Sequence, residues 1–170
     1  MAIGLGVNPK GLNMKATGAT YSFMQVTCAF IGPGAEFVLS HQSSVAEEGI
    51  TIKPVGEQNK MTVGAGGGWM HSMIGAQPAT VIIRLLQISN ANAILQETFD
   101  LQKTDSEIWG KNVIEITEHA SGTHVLCQGC AFKNWAEFPF HTDGGIIEWE
   151  FDCGRVSANR GTFQQLVEGN

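Results

Sequence analysis

The chain carries little charge for its size. Charged residues make up 15% of its 170 residues, and hydrophobic residues make up 43%. Soluble domains usually carry roughly 25% charged residues, so the surface of this one is unusually neutral. The length suits one domain with a real core. Together with 21 glycines, the low charge favours a protein whose surface is covered by further copies of itself, rather than a monomer.

Basic residues are scarce and do not cluster. The chain has 10 Lys and Arg against 16 Asp and Glu, which gives a formal net charge of −6. No basic stripe is present to release counterions from a phosphate backbone, and no basic residues are interleaved with aromatic ones. The composition therefore argues against tight binding of nucleic acid.

Long apolar runs are also missing. No stretch of 18 apolar residues occurs, so we expect no membrane span. The first ten residues lack the basic start and the long apolar stretch of a signal peptide. We expect a protein made in the cytoplasm, where its four cysteines stay reduced.

Motifs that carry chemistry are weak. Cys127 and Cys130 have the spacing of half a zinc site, and His119 and His124 flank a nearby turn, but a closed site needs a second pair of ligands. Residues 64–68 are glycine-rich yet lack the Gly-Lys-Ser/Thr of a phosphate loop. We therefore expect no cofactor, no metal and no enzymatic activity. A small metal-binding β-barrel enzyme built on these cysteines and histidines remains the alternative of a different class.

Alternation with a period of two recurs along the chain and predicts a series of strands. A period of 3.6 replaces it at about residues 90–103, where Ala91, Leu95 and Phe99 share one face of a helix that Ser89 or Asn90 begins. Strands are predicted at 112–118 and 123–132, among others. The fold class is mainly β, a barrel or sandwich of about eight strands with one flanking helix.

The clearest alternation lies in residues 144–154. Glu148, Glu150 and Asp152 point to one face of this strand. The opposite face is apolar and consists of Ile147, Trp149, Phe151 and Cys153. We expect the apolar face to be buried and the acidic face to meet solvent, with Glu115 or Glu118 of a neighbouring strand as further members. An ordinary solvated face is the alternative to a functional one.

Large apolar side chains also occur in the glycine-rich segment 64–78, which we interpret as a loop. They are Trp69, Met70, Met73 and Ile74. Such side chains are costly in water, so they either pack on their own core or dock on a neighbouring molecule. We favour the neighbour.

Several segments resemble the inner tail tube proteins of contractile-tailed bacteriophages. They run in order across the chain: VAEEGITI at 45–52, NKMTV at 59–63, MHS at 70–72, VIIRLL at 81–86, DSEIWG at 105–110, CAFK at 130–133 and GGIIEWEF at 144–151. The match is specific by its extent and order. It divides the chain into an N-terminal arm or loop (1–18), a tail-tube-like β domain (19–161) and a C-terminal tail (162–170).

This resemblance implies a fold shared with the tubes of type VI secretion systems and bacteriocins. It also implies hexameric rings that stack into a hollow tube, with the helix outside the barrel and long loops reaching the next ring. The implied partners are the tail sheath, a tape-measure protein, baseplate or terminator proteins, and DNA that passes without tight binding. The protein would be assembled in the host cytoplasm and become part of the virion tail. The tube of a tailocin or a secretion apparatus is the close alternative.

Under this resemblance, the acidic residues Glu148, Glu150, Asp152, Glu115 and Glu118 become candidates for the tube lumen. Like charge on wall and DNA would leave passing DNA without binding sites. Residues Trp69, Met70, Met73 and Ile74 become candidates for contacts between subunits or between stacked rings.

Overall fold

The computed structural model describes residues 6–7, 13–14, 19–39 and 45–163, with side chains for 19–39 and 49–163. The predictions of an N-terminal arm and a C-terminal tail therefore fall mostly outside the described residues. Within the predicted arm, Gly6–Val7 (β1) and Asn13–Met14 (β2) form a short antiparallel pair.

The described main body consists of strands, one α-helix and a short 3₁₀ turn at Phe23–Gln25. The elements are β3 (Val26–Gly32), β4 (Ala35–Leu39), β5 (Val45–Pro54), β6 (Asn59–Val63), β7 (Trp69–Met73), β8 (Ala79–Leu86), α1 (Ala91–Lys103), β9 (Asn112–Glu118), β10 (Thr123–Phe132) and β11 (Ile146–Asn159). No helix among the described residues is long and apolar enough to cross a membrane.

Seven of the strands form one antiparallel sheet in the order β4-β3-β9-β10-β11-β8-β5. This sheet curls into a half-barrel. Strands β6 and β7 pair with each other as a separate two-stranded hairpin. Over the described residues, nine strands longer than two residues and one α-helix confirm the predicted fold class.

The core lies on one face of the curled sheet and is rich in aromatic rings. Phe132 is central, with its ring centroid 4.7 Å from that of Phe151 and 6.2 Å from that of Phe30. The four alternating apolar residues of β11 are buried, which confirms the predicted register of that strand. A shift of β11 by one residue in its pairing would expose these four side chains to water, at a cost on the order of 2 kcal/mol for each large side chain.

Helix α1 covers this apolar face, within one residue of the predicted bounds. The Ser89 hydroxyl accepts a hydrogen bond from the backbone N–H of Ala91 (3.3 Å) and supports the first turn. Leu95 is fully buried in the core, and the indole N–H of Trp149 donates to Asn92 Oδ1 at 3.0 Å. The helix therefore lies on the side of the sheet opposite to the acidic residues of β11.

Two elements differ from the sequence prediction. Strand β7 lies inside the segment that was interpreted as a glycine-rich loop, 64–78. Strand β11 continues to Asn159, because Val156 and its neighbours pair with the first half of β10. Gly129, with a φ of +63°, lies at the irregularity in β10.

Candidate assembly surfaces

The β6–β7 hairpin projects from the sheet between β5 and β8. Hydrogen bonds close its base, from Val55 N–H to the Pro78 carbonyl (3.0 Å) and from Ile74 N–H to the Gln58 carbonyl (2.9 Å). The tip is the glycine-rich turn 64–68, where Gly67 adopts a φ of +85° that favours glycine. All ten residues of its two strands are exposed.

The two faces of this hairpin differ in character. Directly opposed residues share a face, so Met61, Val63, Trp69 and Met73 lie together, beside the hydrogen-bonded pair of Asn59 and His71. Trp69 is 70% exposed and Met73 is 90% exposed. We call Met61, Val63, Trp69 and Met73 the hairpin face. It is an apolar strip that the described part of the chain leaves in water.

The candidate residues chosen from sequence divide between several positions. Trp69 and Met73 belong to the hairpin face, Met70 points to the opposite side with Lys60 and Thr62, and Ile74 follows the end of β7. None of them packs into the core, so their role as contact residues stays a prediction. Met61 and Val63 were not among the predicted contact residues, but they belong to the same strip.

A second exposed apolar surface lies in the segment between β10 and β11. The rings of Trp135 and Phe138 are 5.8 Å apart, and those of Phe138 and Phe140 are 6.4 Å apart and nearly parallel, at 9°. All three are exposed, Phe140 by 84%. We call Trp135, Phe138 and Phe140 the aromatic ladder. These residues were not predicted from the sequence as a contact site.

Gln87 holds this segment in place. Its side-chain amide donates to the Pro139 carbonyl (2.9 Å) and accepts from Gly145 N–H (3.0 Å). Its backbone N–H donates to the Gly145 carbonyl (3.0 Å). Because Pro139, between Phe138 and Phe140, and Gly145 at the end of the segment are both fixed to Gln87, the ladder is presented on a defined backbone.

The acidic face of β11 is a face of paired charges. The Glu148 carboxylate lies 3.0 Å from Arg84 Nε, and the Glu150 carboxylate lies 3.6 Å from Lys133 Nζ. Asp152 accepts a hydrogen bond from the Thr80 hydroxyl at 3.3 Å. Two of the three carboxylates are therefore paired, because β8 supplies Arg84 and the segment after β10 supplies Lys133.

The two further acidic candidates on β9 lie on opposite faces. Glu115 points away from the core and contacts His124 Nε2 at 2.7 Å. Glu118 is 8% exposed and lies on the buried side with Ile114 and Ile116. Residues three apart on a strand point in opposite directions, so Glu118 is separated from the other acidic candidates.

Glu118 instead fixes the turn between β9 and β10. Its carboxylate accepts hydrogen bonds from the Ser121 hydroxyl and from the backbone N–H groups of Ala120 (2.8 Å) and Ser121 (2.9 Å). These bonds, that from the Ser121 hydroxyl first, hold the pKa of Glu118 below its ordinary value.

A Glu118→Gln variant should therefore lose stability in a pH-dependent way. A lowered folded-state pKa contributes stability above the unfolded-state pKa, near 4.5, and this is lost as the pH falls through the folded-state pKa. Urea unfolding of both proteins between pH 7 and pH 3 should show a difference that narrows with acidification. If the difference in free energy of unfolding between the two proteins stays constant over this range, protonation of Glu118 is not coupled to unfolding.

The four cysteines lie together in the core rather than at the histidines. All are buried, and the thiols of Cys130 and Cys153 are in contact across β10 and β11. Burial, followed by the neighbouring Cys127, raises the pKa of Cys28 to about 12. His119 contacts Thr27 and His124 contacts Glu115. Over the described residues, no group of three or more His, Cys, Asp or Glu is arranged to hold a metal ion.

The thiols should be unreactive until the chain unfolds. The thiolate is the nucleophile, and both burial and a raised pKa suppress it. With a thiol reagent at pH 8, we expect slow modification of the native protein and four rapidly reacting thiols in denaturant. Rapid modification of one or more thiols in the native protein would contradict the observed burial.

The fold defines a structural class that this chain shares with chains of known structure. It is similar to a chain of an anti-feeding prophage tube-terminating cap, with a TM-score of 0.50, 9% identity, and coverage of 87% of this chain and 96% of that one. It is also similar to a chain of the extended sheath–tube complex of an extracellular contractile injection system, PVC, with a TM-score of 0.51, 12% identity, and coverage of 83% and 92%. Both share the fold of this chain.

The sequence gives the family within this class. Residues 18–161 match the family of the bacteriophage PhiTE tail tube protein, and the chain belongs to that family. None of the curated proteins matches the chain. The protein is thus a structural component of a phage tail tube, which confirms the family inferred from its segments.

Proposed function

We propose that this protein forms hexameric rings that stack into the inner tube of a contractile phage tail, through which DNA leaves the virion. The family match over residues 18–161 carries this proposal. The tube is assembled in the host cytoplasm and becomes part of the virion. Its partners are the sheath outside, a tape-measure protein inside, and baseplate or terminator proteins at its ends. This role is mechanical and needs no catalysis or cofactor.

Ring closure uses the two edges of the large sheet. Strands β4 and β5 are its edge strands, each paired on one side within the described chain. Free strand edges pair readily with other strands, and a closed ring of subunits removes them. The low charge and high glycine content fit surfaces that are covered by other copies.

Stacking uses the projecting hairpin. Its apolar strip meets water in one chain and is covered in a tube. Trp69, Met70, Met73 and Ile74 supply contacts to a neighbouring copy, and we add Met61 and Val63, which share a face with Trp69 and Met73.

The face of the sheet opposite helix α1 lines the lumen. A helix on the outer side of the tube leaves Glu148, Glu150, Asp152 and Glu115 facing inward. The carboxylates act chiefly by occupying Arg84 and the Lys133 ammonium, which would otherwise bind phosphates. Asp152, hydrogen-bonded to a neutral threonine, leaves a small excess of negative charge.

Sedimentation velocity over a wide range of protein concentration tests the assembly. We expect rings and longer polymers that increase with concentration. A monomer over the whole range would count against the proposal.

A tailocin or injection-system tube is the second candidate, because both structural neighbours come from such assemblies. Capsid and terminase genes near the gene for this chain would identify a phage.

A further inference from the structure

We propose that the aromatic ladder is the surface that receives the hairpin face of another copy, in the ring next along the tube. This inference rests on the proposed function and deepens it, because it names both partners of the stacking contact.

The two surfaces lie at opposite ends of the same strand. The hairpin leads into Ala79 at the start of β8, where Pro54 and Cys153 are its paired neighbours. The ladder segment is tied to Gln87 just after the end of β8, and Ile146 pairs with Leu86 there. Eight residues of strand separate the two ends by roughly 25 Å.

This separation makes the contact intermolecular and repeating. A copy displaced along the β8 direction brings its hairpin toward the ladder of the first, and its own ladder is then open to the hairpin of a third. Contacts between two different patches of one chain are heterologous, and they generate open-ended stacks when they do not close. A tube that grows by adding rings needs a contact of this kind.

The two surfaces are complementary in chemistry. Methionine sulfur packs favourably against aromatic rings, and the hairpin face offers Met61 and Met73 to three exposed rings. The two segments also differ in the sign of their net charge. Residues 59–73 carry Lys60 as their one Lys, Arg, Asp or Glu, on the side of the hairpin away from the hairpin face, whereas residues 133–145 carry Glu137 and Asp143 together with Lys133, which is paired with Glu150. Opposite signs favour approach of the two segments.

The area available agrees with a contact that works only in an array. An aromatic side chain buries about 150–250 Å² when fully covered, and those of the ladder and Trp69 are already partly covered. One such contact then covers on the order of 500 Å² per partner, less than the roughly 800 Å² of a standard stable interface. A single pair of chains should therefore not be held by it, whereas a ring makes it in every subunit at once.

Cysteine cross-linking tests this pairing. In a Met73→Cys, Phe140→Cys chain, a short bismaleimide should link the hairpin face of one copy to the aromatic ladder of another. A denaturing gel should then show a series of covalent multimers of increasing size. The native thiols are buried and give little background. Each single variant should give no multimers beyond a dimer. The same result is expected for a Met73→Cys, Ile94→Cys chain, whose second thiol lies on helix α1.

The outcomes separate the inference from the proposed function. The pairing would be wrong if the Met73→Cys, Phe140→Cys chain polymerises but gives no covalent multimers. It would also be wrong if the Met73→Cys, Ile94→Cys control cross-links equally well. Neither result would contradict the tube itself. Failure of the wild-type chain to assemble would overturn the tube itself. Should the double variant not polymerise, a Phe138→Ser, Phe140→Ser chain decides. We expect a folded monomer whose critical concentration rises at least roughly tenfold, and normal polymerisation would refute the pairing.

Discussion

A chain carrying Trp69→Ser and Met73→Ser should fold like the wild type and fail to polymerise. Both side chains lie on the hairpin face and are exposed in the single chain, so their loss should change the free energy of unfolding by no more than about 0.5 kcal/mol. In a tube, each buried apolar side chain contributes on the order of 1.5–3 kcal/mol. The loss of two per subunit should raise the critical concentration for polymerisation by orders of magnitude.

Urea unfolding and sedimentation of the same preparations measure the two effects separately. A Met24→Ser, Ile94→Ser chain is the matched control, because both side chains are exposed and lie outside the hairpin. It should polymerise as the wild type does. If the hairpin variant forms tubes at the wild-type concentration, the hairpin face does not carry the stacking contact.

Substitution of Glu148 and Glu150 by Lys should leave tubes that retain DNA. These carboxylates face away from the core, so tube formation should survive, but the change removes two ion pairs and adds two further cations beside Arg84 and Lys133. Substitution of both by Gln frees the same cations with half the change in charge. If this face lines the lumen, genome delivery should be slowest in the Lys variant, intermediate in the Gln variant and fastest in the wild type.

The dependence of DNA delivery on salt concentration tests whether freed cations hold the DNA. DNA held by freed cations is released as salt rises, so delivery by both variants should recover and the DNA affinity of isolated tubes should fall steeply. A Glu97→Lys, Asp100→Lys chain makes the same change in charge on helix α1 and should deliver DNA normally. Normal delivery by the Glu148→Lys, Glu150→Lys tubes, at low salt as well as high, would place this face away from the DNA path.

The strands and the helix were predictable where one period dominated over a whole element. The bounds of β9 and β10 agree with the prediction, and α1 agrees to within a residue, because one face of each packs on a single core. Strand β7 was not predicted, since its residues are exposed on both faces and its neighbouring glycines indicate a loop. Its pairing with β6 depends on backbone hydrogen bonds, which leave no periodic signal.

The candidate surfaces were predictable only in part, because the signal for each involves residues far apart in sequence. The alternation of β11 gave its buried face, but the partners of Glu148 and Glu150 come from β8 and from the segment after β10. Glu115 and Glu118 are three residues apart on β9 and therefore lie on opposite faces, and the buried residues of β9 show that Glu118 is the one on the core side. The position of the aromatic ladder depends on Gln87, which is about 50 residues before it in the sequence and holds Pro139 by a hydrogen bond.

Electron microscopy of the purified wild-type chain tests directly whether the protein assembles into a tube. We expect rings with a sixfold axis and a central hole in end views, and stacks of these rings in side views, in the absence of any other phage protein. Particles of single-chain size over the whole concentration range, with neither rings nor tubes, would contradict it.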